Sequence, residues 1–215
     1  RSMSGIMERC CGALRARDHV TRRLYQKRTH DTMANAYFFF EYMCILLSGA
    51  MDSLASLIAI VCDHVSTGGR HPSFRSRDFF HSIGAKLPVT LRKVLSSPSF
   101  NSLLSSLYEP RNMIHAEGMT PVTVMGKSSG MFHKMHPSML ASIRSAARAI
   151  SSCEEWGVDD DGYVDIFKYS QALVQESFHQ MNQVMGLLDT AMFWKPGCAP
   201  LVGPSTLPMF GRYEP

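Results

Sequence analysis

Two side chains able to do chemistry stand four positions apart in Tyr108-Glu109-Pro110-Arg111-Asn112-Met113-Ile114-His115. On a helix, positions four apart share a face, so the Arg111 guanidinium and the His115 imidazole project together. Arginine is a planar, permanent cation suited to gripping phosphate, and histidine exchanges a proton near neutral pH. Metal-free RNA cleavage needs this pairing. A base takes the 2′-hydroxyl proton, the oxygen attacks the adjacent phosphorus, and a cation stabilises charge building on the phosphate oxygens. The same spacing has a plainer use, in which the pair braces its helix against a neighbour through hydrogen bonds to Glu41 or Asp52. On spacing alone the brace is the commoner outcome.

Other motif fragments fail on inspection. Gly126-Lys127-Ser128 resembles the end of a phosphate-binding loop, but the glycine required five residues earlier is Pro121. Asp159-Asp160-Asp161-Gly162 resembles part of a calcium loop, yet the first ligand would be Gly157 and the closing glutamate would be Lys168. It reads instead as a turn that sets acidic residues ahead of the last helix's positive N-terminus. His133, His136, Cys62 and His64 have no spacing that requires a metal. No cofactor is implied.

These residues must be positioned by helices. Gly5 to about Lys27 reads as a basic helix, with Arg9, Arg15, Arg17, Arg22 and Arg23 against Glu8 and Asp18. Its basic side is a solvated face or, alternatively, an RNA-contacting surface. A long apolar helix follows from about Asp31, capped by Asp31 or Thr32, and runs past Val61. Its polar residues Glu41, Ser48, Asp52 and Ser56 fall at sevens and fours, making one stripe that needs a polar neighbour. Gly49 and Ser48 allow a close helix crossing. Shorter helices are expected over 77–83, 89–95 and 100–108. Pro110 is best placed in the first turn of a new piece carrying Arg111 to Glu117. Pro121 to His136 suggests a small hairpin, and 138–152 another helix. Phe167, Val174, Phe178, Met181, Met185, Leu188 and Met192 form an apolar seam on a last helix over 164–194.

The 215 residues thus divide into a basic N-terminal helix (1–30), a helical domain (31–194) and a proline-rich tail (195–215). Hydrophobic residues are 45% of the chain, enough for a core and too many for global disorder. The net charge of +4 permits a polyanionic partner without demanding one. Six cysteines without regular spacing read as free thiols, with Cys44 and Cys62 as core residues, which points to a reducing, cytoplasmic compartment. Ala34 to Cys62 is long enough to cross a bilayer, but Glu41 and Asp52 would each cost roughly 2.5–3.5 kcal/mol there. A helix buried inside a soluble bundle is therefore the expectation, with no membrane partner.

The stretch Tyr108 to His115 resembles the signature of the HEPN superfamily (higher eukaryotes and prokaryotes nucleotide-binding domains): an arginine, a polar residue, then a histidine. The order of elements is similar too, with a long apolar helix through Phe40-Glu41-Tyr42 and Asp52-Ser53-Leu54-Ala55, shorter helices, the motif and a closing helix. The resemblance covers roughly Asp31 to His115 plus the last helix. It implies an all-α antiparallel bundle that forms a homodimer and brings two Arg–His motifs into one cleft. There His115 would act as general base or acid, Arg111 would hold the scissile phosphate, and Asn112 would orient groups by hydrogen bonding. From its place on the polar stripe, Glu41 or Asp52 would support the site by fixing the His115 tautomer. RNA would be the substrate, and a bacterial defence or toxin–antitoxin setting would add an antitoxin or other protein partner. Three residues separate Arg111 from His115, where active members mostly have a longer spacing. Inactive members keep the bundle as a binding or dimerisation module, which is the alternative.

Overall fold

The computed structural model describes residues 2–27, 29–62, 72–76, 79–116 and 131–188. Six α-helices dominate the described residues: α1 (Ser2–Leu24), α2 (His30–Val61), α3 (Val89–Leu95), α4 (Pro98–Ala116), α5 (Pro137–Ile150) and α6 (Ile166–Leu187). Two short strands, β1 (Phe132–Lys134) and β2 (Tyr163–Asp165), pair antiparallel with His133 opposite Val164. The molecule is thus an all-α bundle carrying a small two-stranded sheet. β1 falls at the end of the expected hairpin segment, and its partner comes from the far side of α5. Pro121 to Gly130 lie outside the described residues, as do Glu117, the Pro-rich tail, and Met192 and Trp194 of the expected last helix.

The 32-residue helix α2 is the axis of the bundle. Thr29 caps it, rather than Asp31 or Thr32. The Thr32 amide donates to the Thr29 hydroxyl at 3.2 Å, while the Thr29 amide donates to the Thr32 hydroxyl at 2.8 Å. This reciprocal box satisfies two amides that have no helical acceptor. α2 buries Phe40, Met43, Cys44, Leu47, Met51, Leu54 and Ile58 completely. By length and composition α2 could cross a membrane, but 61% of its most apolar window is buried against the rest of the fold. Cys44 is fully buried as expected, whereas Cys62 caps the C-terminus of α2 and is half-buried. No disulfide joins the five described cysteines.

Helix α1 runs antiparallel along α2 and shares its core through Ile6, Cys10, Ala13, Ala16 and Val20. The crossing is close where side chains are missing. Arg9 lies across Gly49, where a Cβ would meet its Nε at 2.9 Å, and donates to Ser53 Oγ at 2.5 Å. Gly12 sits equally tightly under Leu46. A Cβ at either site would push the neighbouring side chain aside.

Helix α4 corrects one expectation. Instead of breaking at Tyr108 and restarting at Pro110, it continues through the proline to Ala116. Pro110 has no amide hydrogen, so the Ser106 carbonyl four residues earlier loses its helical partner. The fully buried Tyr169 hydroxyl donates to that carbonyl at 2.9 Å. A tertiary hydrogen bond thus replaces the missing helical one, and the motif stays in phase with the first part of α4. The short helix expected before Gly84 is a π-helical turn, Phe79–Ile83, running into a 3₁₀ turn, Gly84–Lys86.

Helix α6 contacts α1, α2, α3 and α4. Its buried face is correspondingly wider than the apolar seam. Ser170, Ser177 and Gln180 are buried beside Tyr169, Leu173, Val174 and Val184, whereas Phe167, Phe178 and Met185 are only half-buried. The acidic turn before it closes through Gly162 at φ 86°, with Asp159 Oδ1 accepting the Tyr163 amide at 2.7 Å. Asp165 then caps α6 through the Phe167 amide.

Candidate functional site

Asp52, on the side of α2 that faces α4, gathers the site. Its Oδ2 accepts from Arg111 Nη1 at 2.6 Å, and its Oδ1 accepts from the Tyr108 hydroxyl at 2.5 Å. Tyr108 and Arg111 are three apart on α4, so both reach the same carboxylate from one helix face. Burial, and then the negative charge of Asp52, push the Tyr108 phenol above its ordinary value, so it stays a proton donor in this contact. The Arg111 side chain is one-third exposed and the Asp52 side chain one-quarter exposed.

A second guanidinium completes the cluster. Arg75 lies over the Tyr108 ring at 5.5 Å and Arg111 lies at 5.8 Å from the same ring. Arg75 also approaches Glu109 at 3.9 Å. Two cations thus share an aromatic ring, and each has a carboxylate beside it. Neither Tyr108 nor Arg75 was singled out from sequence as a site residue. Tyr108 had a usable signal, because it precedes Arg111 by one helical turn. Arg75 had none, because it arrives from a loop remote in sequence.

His115 lies one turn beyond Arg111, about 6 Å along the helix axis. It is exposed and has no hydrogen-bond partner among the described residues, and the same holds for exposed Asn112. One Arg111 nitrogen is committed to Asp52, while Nε and Nη2 have no protein partner among the described residues. The guanidinium can therefore still offer donors to an anion beside His115.

The remaining candidate residues are not brought here. Glu41 precedes Asp52 by three helical turns, about 16 Å along α2. The rest of the polar stripe turns inward on its own helix: Ser48 donates to the Ile45 carbonyl and Ser56 to the Asp52 carbonyl, both at 3.0 Å. Of the stripe, Asp52 is the residue that bonds to Arg111. The open groove between α4 and α5 is lined by Ser102, Lys134, Leu140, Arg144 and Arg148, and not by the motif. Among the described residues no three His, Cys, Asp or Glu side chains stand close enough together to hold a metal ion.

The fold and the site together define an all-α bundle with an arginine–histidine pair at the exposed end of one helix, the arginine anchored by a carboxylate from the central helix. Compared with known proteins, the chain matches no family model, no curated protein and no solved structure.

Proposed function

We propose that the chain is a HEPN-like endoribonuclease that cuts RNA without a metal ion, working as a cytoplasmic homodimer. The observation that carries this reading is the placement of a partly exposed Arg111 one helical turn from an exposed His115, with Asp52 and Tyr108 fixing the arginine. In the proposed step, a His115 imidazole removes the proton from a ribose 2′-hydroxyl. That oxygen bonds to the adjacent phosphorus, and the 5′-oxygen leaves with a proton supplied by the His115 of the second copy. The Arg111 donors not used by Asp52 stabilise the extra negative charge on the phosphate oxygens. Two copies supply the base and the acid that a single exposed histidine cannot supply at once. Bacterial defence is the setting the resemblance suggests, with an antitoxin-like protein as a second partner.

A specific observation favours a second reading, a non-catalytic helical module. The charges of Arg75 and Arg111 are balanced by Glu109 and Asp52, and a compensated network of this kind also serves to brace α4 against α2. The two readings part in one experiment. The purified chain is incubated in EDTA with a DNA oligonucleotide containing one ribonucleotide. The nuclease cuts only after the ribose, leaving a 2′,3′-cyclic phosphate, and loses the activity in Arg111→Ala and His115→Ala. A wild type that cuts no better than His115→Ala leaves the brace.

A further inference from the structure

We infer that the exposed face of α2 around Phe38 and Tyr42 is a stacking platform for the bases of single-stranded RNA, leading that strand to Arg111 and His115. The inference takes RNA as the ligand, as in the proposed function, and adds where it lies. Phe38 is 59% exposed and Tyr42 is 45% exposed, which is unusual for large aromatic side chains on the central helix of a bundle. Their rings are parallel, 9° apart in plane with centroids at 6.5 Å. Phe39 meets Phe38 edge-on and is itself stacked on His19 of α1, at 4.2 Å and 9°. Aromatic faces held this way accept any base, because every base has a π-face.

The surroundings supply charge for a phosphate backbone. Arg15 and Arg22 lie one turn either side of His19 on the same face of α1. Both are exposed and in no ion pair among the described residues, whereas Arg17 is held by Asp18. The acids bordering that face are Glu8 and Asp18, and Asp18 is already paired with Arg17, leaving Arg15, Arg22 and His19 against Glu8. A second copy docked here about a two-fold axis would set the same cations against their own images. A polyanion neutralises them instead, which is why RNA is the occupant we assign.

Geometry links this platform to the motif. Phe38, Tyr42, Ile45, Gly49, Asp52 and Ser56 recur at fours and threes, so they form one stripe along α2. Phe38 and Asp52 are about 21 Å apart along the helix axis. Between them the Arg9 side chain lies across Gly49. A strand stacked on Phe38 and Tyr42 thus passes a third guanidinium before reaching Asp52 and Arg111.

The test uses the 215-residue chain as His115→Ala in EDTA, so that cleavage does not enter. Binding of a fluorescein-labelled twelve-nucleotide oligouridine and of a duplex RNA of the same length is followed by anisotropy, alongside sedimentation of the unliganded protein. Phe38→Ala/Tyr42→Ala should weaken single-strand binding by roughly tenfold or more. Arg15→Ala/Arg22→Ala should weaken it and flatten its salt dependence. Both pairs are at the surface, and circular dichroism checks that the fold is kept. Unchanged affinity in the aromatic variant overturns the platform, as does an aromatic variant that turns a dimer into a monomer without touching RNA binding. Wild type that binds through this face yet cuts nothing would sink the nuclease reading and leave the platform standing.

Discussion

At the scale of single residues, Asp52 holds together groups that nothing else would align. Its carboxylate receives one charged and one phenolic hydrogen bond in a partly buried position. A double-mutant cycle of Asp52→Asn and Arg111→Lys should give a coupling of about 1 kcal/mol by urea unfolding, between a bare surface pair and a buried charged hydrogen bond. Coupling near zero would mean that the contact does not anchor the arginine. His133 makes a separate prediction. It is buried against Tyr37, with ring centroids 4.7 Å apart, and neither ring nitrogen has a partner among the described residues. Burial lowers its pKa from 6.5 to about 4. Between those values the unfolded chain binds a proton and the folded chain does not, so stability is full above pH 6.5 and falls as the pH drops toward 4. Moving from pH 7 to pH 5 should cost about 2 kcal/mol through this residue. His133→Phe should lose correspondingly less over the same step, as read by urea midpoints at the two pH values. The pair Arg111 and His115 was visible in sequence because helical spacing alone puts them on one face. Arg75 was not, because no local rule brings a loop residue onto the Tyr108 ring.

At the scale of elements, periodicity located the helices and tertiary contacts set their limits. Helix α2 is legible because its apolar residues run on far longer than a strand could. The continuation of α4 through Pro110 is not legible locally, since proline is ordinarily a boundary and the compensating donor, Tyr169, is 59 positions away. Tyr169→Phe removes only that hydroxyl and leaves the Ser106 carbonyl buried and unpaired. The expected loss is about 1–3 kcal/mol in denaturant unfolding. In Pro110→Ala/Tyr169→Phe a helical amide is available again, and much of that loss should be recovered. An equal loss in both backgrounds would show that the hydroxyl does not substitute for the missing amide. The apolar seam of α6 was likewise only part of its buried face, because contact with four other helices draws in Ser170, Ser177 and Gln180.

At the scale of the molecule, the bundle has one continuous core running from α1 through α6, and the basic first helix belongs to it. This arrangement gives α1 two roles. Its apolar side closes the core over α2, and its other side sets Arg15, His19 and Arg22 beside the exposed aromatics. Asp52, which anchors Arg111, lies on the same α2 stripe as Phe38 and Tyr42, so the proposed stacking platform and the proposed phosphate site are linked along one helix. The basic sequence of α1 fits both a solvated face and an RNA-contacting surface. Only the stack of His19 on Phe39 supplies an argument between them, because it fixes which α1 residues border the aromatic pair. The central claim is that His115 does chemistry on RNA. The most direct measurement is the single-turnover cleavage rate of a single-stranded RNA in EDTA, for wild type and His115→Ala. His115 is exposed and bonded to nothing among the described residues, so its removal should leave the unfolding midpoint unchanged. The account predicts a rate lower by about a hundredfold or more in the variant. Equal rates in the two proteins, or no cleavage by either, would contradict it.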